Sequence, residues 1–179
     1  MASATRILLI GVGGTGTRIV RHMVNKWIDQ DRRTPAHVSI AIIDAHESGP
    51  EESDKEGPIP NSEFSYTDAI NYGEQFSEYQ NNSECDLSQW WPAKLQPSPD
   101  VNFNKGCGAV RANGRFWAMS HTDYIWRTLR TAIDKLATAD DTTNPFYEVY
   151  VCCSLGNGTG GGTFLSVATI AKHLLYNHG

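Results

Sequence analysis

The order of hydrophobic and polar positions along the chain predicts alternating strands and helices. Apolar runs occupy 6–11, 37–44 and 147–154, and each predicts a strand, the first of them buried. Helical spacing of apolar residues follows the first and the third run, at about 16–30 and 163–177. A strand, a helix and a second strand in this order form a parallel unit. The sequence therefore predicts an α/β protein with a doubly wound, mainly parallel sheet.

The helical segments also indicate which side chains lie together. In the first helix, Ile19, Met23 and Trp27 share one face. A helix before the last strand carries four apolar residues three or four positions apart, and we expect them to cover the sheet: Trp126, Leu129, Ile133 and Leu136. We expect that helix to end at the polar run 140–145.

Residues 46–105 interrupt the alternation. Six prolines, many Ser, Asn and Glu residues and the lack of a sustained period predict an insertion of loops and short helical pieces. The insertion is nevertheless too aromatic for a disordered segment, so we expect it to pack against the domain. Its aromatic residues include Phe64, Tyr66, Phe76, Tyr79, Trp90 and Trp91.

Length and composition describe an ordinary globular protein. The 179 residues fit one domain, and no stretch approaches the roughly 20 apolar residues of a membrane span, so we expect a cytoplasmic protein without such a span. Cys152 and Cys153 are neighbours in a predicted strand. Because neighbouring strand residues point to opposite faces, we expect buried thiols rather than a disulfide.

Two glycine-rich turns carry the candidate chemistry. Residues 11–16, Gly-Val-Gly-Gly-Thr-Gly, close the first apolar run, and residues 156–162, Gly-Asn-Gly-Thr-Gly-Gly-Gly, close the last. A strand that ends in a glycine turn and opens a helix directs backbone N–H groups and a positive helix end at one point, which suits phosphate. Two such turns can hold one phosphate chain from both sides.

The charge distribution agrees with an anionic ligand. Residues 47–105 carry twelve acidic side chains and three lysines, a net charge of −9, so the remainder stands at +4 within a total of −5. The basic part is the part that contains both glycine turns. This favours a small anion and argues against a nucleic-acid surface on the middle segment.

Several phosphate-binding classes share parts of this pattern. Gly11-x-Gly13-x-x-Gly16 fits the dinucleotide fingerprint, and Asp44 ends the second strand 28 residues after Gly16, where a ribose-binding acid would lie. Two enzyme classes therefore remain as alternatives: a Rossmann-type dinucleotide oxidoreductase and a ubiquitin-activating-like adenylating enzyme. A dinucleotide fold, however, needs only one glycine turn for its pyrophosphate.

A Walker P-loop does not fit, because neither turn contains Gly-Lys-Ser/Thr and no lysine is placed to reach the β- and γ-phosphates. Positive charge must then come from arginine, whose forked guanidinium suits phosphate. Arg18, Arg111 and Arg115 are the candidates. The alternative for each is a solvated surface side chain.

Taken together, the turns resemble those of the tubulin/FtsZ superfamily. Residues 7–16, Ile-Leu-Leu-Ile-Gly-Val-Gly-Gly-Thr-Gly, look like its first nucleotide loop, and residues 156–162 look like its signature Gly-Gly-Gly-Thr-Gly-x-Gly. Residues 106–115 are similar to the third loop of bacterial tubulin-like proteins, Gly-x-Gly-x-x-Arg-Ala-x-Gly-Arg. The resemblance covers most of residues 6–177 outside the insertion.

The resemblance implies the N-terminal part, 1–179, of a tubulin/FtsZ-like, Rossmann-like GTP-binding domain with an acidic, aromatic insertion at about 46–105. GTP or GDP with Mg²⁺ would lie across the turns. The first loop would bind the α- and β-phosphates with Gly13, Gly14, Thr15 and Gly16. The signature loop would wrap the phosphates from the other side, with the Thr159 hydroxyl available: Gly156, Asn157, Gly158, Thr159, Gly160, Gly161 and Gly162.

Two further groups of residues are implied. Gly108, Ala109 and Arg111 would approach the γ-phosphate. Asp44 is a candidate for holding Mg²⁺ through water, since a hard cation beside phosphate prefers carboxylate oxygen and retained waters. An ordinary strand-end acid that caps the next turn is the alternative for Asp44.

Three departures from FtsZ bear on guanine selectivity. Arg18 stands where FtsZ has an asparagine that contacts the base, and apolar Ile42 stands where FtsZ has an asparagine in the second strand. Asn157 replaces a signature glycine, so the backbone there must accept a side chain, as asparagine often does at positive φ. Phosphate binding is untouched by these changes.

The resemblance also implies a cytoskeletal-type GTPase that assembles head to tail. The acidic, aromatic insertion is a separate candidate for docking a protein partner, in the scaffold alternative given below. The acidic loop that completes hydrolysis in this family lies beyond residue 179, so no catalytic residue is assigned. A nucleotide-stabilised scaffold without hydrolysis is a further alternative. Replacing Gly160 by alanine would distinguish two of these interpretations. In the tubulin-like interpretation phosphate touches the backbone at this residue, so nucleotide binding would be lost; in the dinucleotide interpretation binding would be kept.

Overall fold

The structure is a computed structural model that describes residues 5–45, 59, 62–65, 72–81, 87–95, 103, 106–138 and 146–178. Over these residues the chain forms the following elements in order: β1 (Thr5–Val12), α1 (Gly13–Asp31), β2 (Val38–Ile43), β3 (Ser62–Ser65), α2 (Tyr72–Asn81), a 3₁₀ turn (Leu87–Gln89), α3 (Arg111–Ser120), α4 (Thr122–Ala137), β4 (Phe146–Cys153) and α5 (Gly158–His178).

The four described strands form one parallel sheet in the order β3-β2-β1-β4. In the register of the sheet, Leu9 of β1 lies between Ile40 of β2 and Tyr150 of β4. All six residues of β2 are buried, which explains its unbroken apolar sequence. Helices cover both faces of the sheet, so the predicted doubly wound, mainly parallel α/β fold is confirmed.

The two faces have separate cores. On one face, Leu9, Ile40 and Ile42 pack with Val20 and Val24 of α1. On the other face, the larger core joins the sheet to α3, α4 and α5, and its fully buried members include Leu8, Ile10, Phe116, Trp117, Leu129 and Ile133. Cys152 packs against the first core and Cys153 against the second, on opposite faces of the strand, and both thiols are free as expected. Both are half-buried, so the expectation of buried thiols is wrong.

Of the three residues on the apolar face predicted for α1, Trp27 packs against the core on that side of the sheet. Ile19 and Met23 are exposed by 42% and 36%, whereas Gly16, Val20 and Val24 are buried. The reason is the close approach of α1 to β4: a Cβ on Gly16 would overlap the carbonyl oxygen of Cys152. Glycine, the smallest residue, therefore makes the contact, and a pattern based on large apolar residues does not identify it.

The apolar face predicted for α4 is largely confirmed. Leu129, Ile133 and Leu136 are fully buried in the larger core, as expected. Trp126 is half-buried, and its ring lies 5.5 Å from that of His173 on α5. The helix ends at Ala137; the polar run 140–145 lies outside the described residues.

Helices begin earlier than the apolar pattern predicts. α1 begins at Gly13 instead of about 16, and α5 begins at Gly158 instead of about 163. α3 begins at Arg111, inside what the sequence indicates as a third turn. Residues 13–16 and 158–162 of the glycine-rich sequences therefore lie in the first turns of helices. The apolar period does not detect these turns because glycine has no side chain.

The described parts of the insertion pack against the domain, as predicted. The rings of Phe76 and Trp91 are 4.7 Å apart, and both meet the edge or face of Phe116 on α3 at 5.7 and 5.8 Å. β3 is a strand that the sequence did not predict, and it extends the sheet beyond β2. The Phe64 side chain and Tyr66 lie outside the described residues.

None of the helices in the described part of the chain is long and apolar enough to cross a membrane.

Candidate functional site

The two glycine turns meet because they leave neighbouring strands at the same level. β1 and β4 pair in parallel up to Val12 opposite Cys153, so both strands reach the carboxyl edge together. A Cβ placed on Gly13 would lie 3.1 Å from the amide nitrogen of Gly160. The backbones of the first and second turns are therefore in contact, with α1 and α5 starting on either side of that contact.

The first turn requires glycine for its backbone conformation. Gly13 has a φ of +69°, in the left-handed region that L side chains avoid. Val12, at the N-cap of α1, makes no side-chain capping hydrogen bond, and the first turn of the helix contains no acidic residue. The N–H groups at the start of α1 are thus left without a capping side chain of their own, which is typical of an anion-binding helix start.

The third turn is joined to the second. The amide of Gly158 donates to the carbonyl oxygen of Gly108 at 2.7 Å, and the amide of Cys107 donates to Thr159 Oγ1 at 3.4 Å. Gly106 and Gly108 have φ values of +90° and +59°, so glycine is required at both. The three predicted turns therefore form one cluster at the carboxyl edge of the sheet.

Thr159 is directed inward. Its side chain is only 7% exposed, and its hydroxyl accepts from Cys107 instead of facing open solvent. In this structure the residue serves to link the second turn to the third. The hydroxyl that the resemblance assigned to phosphate is therefore engaged within the protein.

Cys107 is a member of the cluster that the sequence did not single out. Burial raises the pKa of its thiol to about 12; the hydrogen bond with Thr159 lowers that pKa and the nearby Asp44 carboxylate raises it. The thiol is consequently neutral at physiological pH and acts as a small packing group. Its position between two glycines, Gly106 and Gly108, in the third turn was the available sequence signal.

Asp44 lies between the first and third turns. It follows β2 directly, is 8% exposed, and its Oδ2 lies 3.9 Å from the position that a Cβ on Gly14 would take. The same carboxylate acts on Cys107 of the third turn through its charge. A carboxylate at this junction has the oxygen chemistry that a hydrated Mg²⁺ ion prefers.

The two arginines of α3 have different surroundings. Arg111, the first residue of the helix, is exposed, and its Cγ lies 3.3 Å from the position of a Cβ on Gly161 in the second turn. One turn further on, the guanidinium carbon of Arg115 lies 4.4 Å from the ring centroid of Trp90 in the insertion. The structure thus brings Arg111 to the glycine cluster and holds Arg115 against the insertion.

Some of the remaining predicted residues are exposed to solvent. Gly108 and Ala109 are exposed beside Arg111, as are Gly156 and Asn157 in the second turn. Arg18 is exposed in the second turn of α1, and no contact with the other turns is found for it among the described residues. Ile42, the apolar departure in β2, is fully buried in the core on the α1 face.

Asn157 does not have the backbone conformation that the sequence suggested. Arg32 is the one non-glycine residue with a positive φ in the described part of the chain. The expectation of a left-handed asparagine in the second turn is therefore wrong. Asn157 instead uses its side chain: Nδ2 donates to Thr15 Oγ1 in the first turn at 3.0 Å.

Several glycines of the cluster are needed for packing. A Cβ on Gly114 or Gly162 would overlap a backbone atom of the facing helix, because α3 crosses α5 with backbone against backbone. A Cβ on Gly158 would overlap the carbonyl oxygens of Cys107 and Gly108 in the third turn. The Thr163 hydroxyl donates to the Gly114 carbonyl oxygen at 3.1 Å across the same crossing. Gly114 and Thr163 were not predicted as contributors; small residues at 158, 162 and 163 on one face of α5 were the sequence signal.

The fold and the site define a parallel α/β protein in which three helix-opening turns meet at the carboxyl edge of the sheet. The model of a family described as tubulin-like matches residues 8–179, a range that includes all three turns. The chain therefore belongs to this tubulin-like family, as the turn sequences predicted. Comparison with curated proteins finds no significant match.

Proposed function

We propose that this chain is the N-terminal part of a GTP-binding domain and that the nucleotide phosphates bind where its three turns meet. The observation that carries the proposal is the contact between Gly13 and Gly160, which joins the starts of α1 and α5. Neither helix has an acidic residue in its first turn. Two helix starts at one point favour an anion through their N–H groups and their aligned dipoles.

The convergence of two turns favours this function over the dinucleotide alternatives. A Rossmann-type enzyme binds its pyrophosphate at one glycine turn, and the second turn would then have no ligand to bind. Here the second turn lies directly on the first and is hydrogen-bonded to the third. Membership of the tubulin-like family supports the same choice.

The test of the proposal is the identity of the nucleotide that accompanies the purified full-length protein. The protein is denatured, and the released small molecules are separated by ion-exchange chromatography against GTP, GDP, ATP and NAD standards. We expect GDP or GTP, and we expect GTP to displace GDP in equilibrium dialysis. Recovery of NAD or of adenine nucleotides alone would contradict the proposal.

Arg111 is proposed to contact the γ-phosphate. Because a charge-assisted hydrogen bond contributes about 1.5–3 kcal/mol, we expect Arg111→Ala to weaken GTP binding at least about tenfold and to affect GDP binding much less. The measurement is isothermal titration calorimetry with each nucleotide. Arg115→Ala is the matched control on the same helix, and since Arg115 lies against Trp90, its GTP affinity should equal that of the wild type. Equal losses in both variants would place Arg111 away from the γ-phosphate.

Asp44 is proposed to hold Mg²⁺ through water. Asp44→Asn keeps the size of the side chain and removes its charge, so we expect GTP affinity in the presence of Mg²⁺ to fall about tenfold. With EDTA present, the variant and the wild type should bind GTP with the same affinity. A loss that persists in EDTA would show that Asp44 acts on the turn itself.

Head-to-tail self-assembly and GTP hydrolysis are proposed on the strength of the family alone. The γ-phosphate would order the third turn, and a neighbouring subunit would bind the ordered turn. Light scattering and electron microscopy of the full-length protein with GTP and Mg²⁺ test assembly. Absence of assembly across a range of salt, combined with bound nucleotide and no turnover, would favour a nucleotide-stabilised scaffold.

A further inference from the structure

One side-chain hydrogen bond crosses between the first two turns. Asn157 Nδ2 donates to Thr15 Oγ1 at 3.0 Å, over a separation of 142 residues in the chain. Asn157 is exposed and Thr15 is half-buried, whereas Gly13 and Gly160, where the backbones touch, are buried. The bond therefore lies on the solvent side of the backbone contact, at the entrance to the cluster.

This bond is not what holds the two turns together. The pairing of β1 with β4 and the backbone contact of Gly13 with Gly160 already fix their spacing. A hydrogen bond between neutral, solvent-facing side chains adds little to stability, because water replaces it when it breaks. It can therefore open without disturbing the fold.

The bond also bears on how a phosphate chain reaches the turns. Asn157 lies in the second turn and Thr15 in the first, so the bond closes the solvent side of the place where the two turns meet. A phosphate chain that approaches from that side meets the bond before it reaches the starts of α1 and α5.

We propose that the Asn157–Thr15 hydrogen bond is a latch across the entrance of the phosphate site, so that Asn157 controls the rate at which nucleotide enters. The proposal rests on the proposed function of the same site. If the entrance is open for only a fraction of the time, the observed association rate and affinity are both reduced by that fraction. Removing the latch should then speed association and leave dissociation unchanged.

The test is stopped-flow binding of a fluorescent GTP analogue to the full-length protein. Asn157→Ala removes the donor without backbone strain, since Asn157 has no positive φ. Thr15→Val removes the acceptor and keeps the backbone N–H. We expect the association rate to rise about fivefold in each variant, with an unchanged dissociation rate and a correspondingly tighter affinity. Because each variant opens the same latch, the double variant should show no further gain.

Two controls complete the experiment. Thr15→Ser keeps the hydroxyl that accepts from Asn157, so it should associate more slowly than Thr15→Val. Asn177→Ala removes another exposed amide, near the far end of α5, and should bind as the wild type does. Thermal denaturation of every variant tests whether the fold is preserved.

The outcomes separate the latch from the proposed function. Faster dissociation and weaker affinity in Asn157→Ala would mean that the amide holds bound phosphate, and would overturn the latch. Unchanged rates, or gains that add in the double variant, would overturn it as well. If the wild type binds neither GTP nor GDP, the proposed function fails and the latch fails with it.

Discussion

Replacing Gly14 by alanine is expected to abolish nucleotide binding and to leave the fold intact. Gly14 has no positive φ, and the nearest atom to an added Cβ is Asp44 Oδ2 at 3.9 Å, so the protein itself has room for the methyl group. Alanine is also the better helix former by about 0.5–1 kcal/mol. The methyl group would occupy the space above the helix start, where phosphate is proposed to approach the backbone.

We expect the affinity for GTP to fall by about a hundredfold or more, which corresponds to about 2.7 kcal/mol. The melting temperature without nucleotide should stay the same or rise by a few degrees. Calorimetric titration and thermal denaturation provide the two measurements. Wild-type affinity in a folded Gly14→Ala variant would exclude phosphate from the start of α1.

Gly16→Ala is the contrasting variant in the same turn. Its Cβ would overlap the Cys152 carbonyl oxygen, so α1 could not keep its distance from β4. This variant should lose stability together with binding. The pair therefore separates a glycine that leaves room for a ligand from a glycine that leaves room for another backbone.

Replacing Gly114 by alanine is expected to destabilise the protein severely. The new Cβ would overlap the Gly158 carbonyl oxygen and lie 3.2 Å from Gly162 Cα, where α3 crosses α5. Overpacking costs typically about 1–3 kcal/mol, and because backbone atoms oppose the methyl group, we expect the upper end of that range. At 2–4 °C for each kcal/mol, the melting temperature should fall by roughly 6–12 °C.

Ser120→Ala on the same helix is the matched control. The Ser120 hydroxyl donates to the Phe116 carbonyl oxygen within α3, and its loss should change the free energy of unfolding by less than about 0.5 kcal/mol. Urea denaturation of both variants gives the comparison. A Gly114→Ala variant as stable as the wild type would mean that the two helices do not approach so closely in solution.

The glycines of the cluster therefore have different expected roles. Gly13 is required for its φ, Gly16 and Gly114 for backbone packing, and Gly14 and Gly156 have open space beside them. Gly160→Ala, which the sequence recommends as the decisive variant, would also press its Cβ to 2.9 Å from the Ser154 carbonyl oxygen. It would confound folding with binding, and Gly14→Ala is the cleaner test.

Sequence patterns correctly predicted the main strands of the sheet and the buried face of one helix. The apolar runs of β1, β2 and β4 place a parallel sheet, and the regular spacing of Leu129, Ile133 and Leu136 identifies the face of α4 that is buried. The same patterns failed at α1, where Ile19 and Met23 are exposed and Gly16 makes the contact. Hydrophobic periodicity is counted from large apolar residues, whereas a close contact between a helix and a strand requires the smallest residue.

The sequence by itself determined the order of strands, helices and glycine turns along the chain, and the family to which the chain belongs. Both follow from local properties of the chain, namely its apolar runs and its glycine-rich turns. Tertiary structure alone decided which glycines face each other, that Arg115 lies on Trp90 while Arg111 reaches the second turn, and that Asn157 bonds to Thr15. Such contacts depend on the distance between two backbones that are far apart in the chain, and a single sequence does not encode that distance in any local pattern.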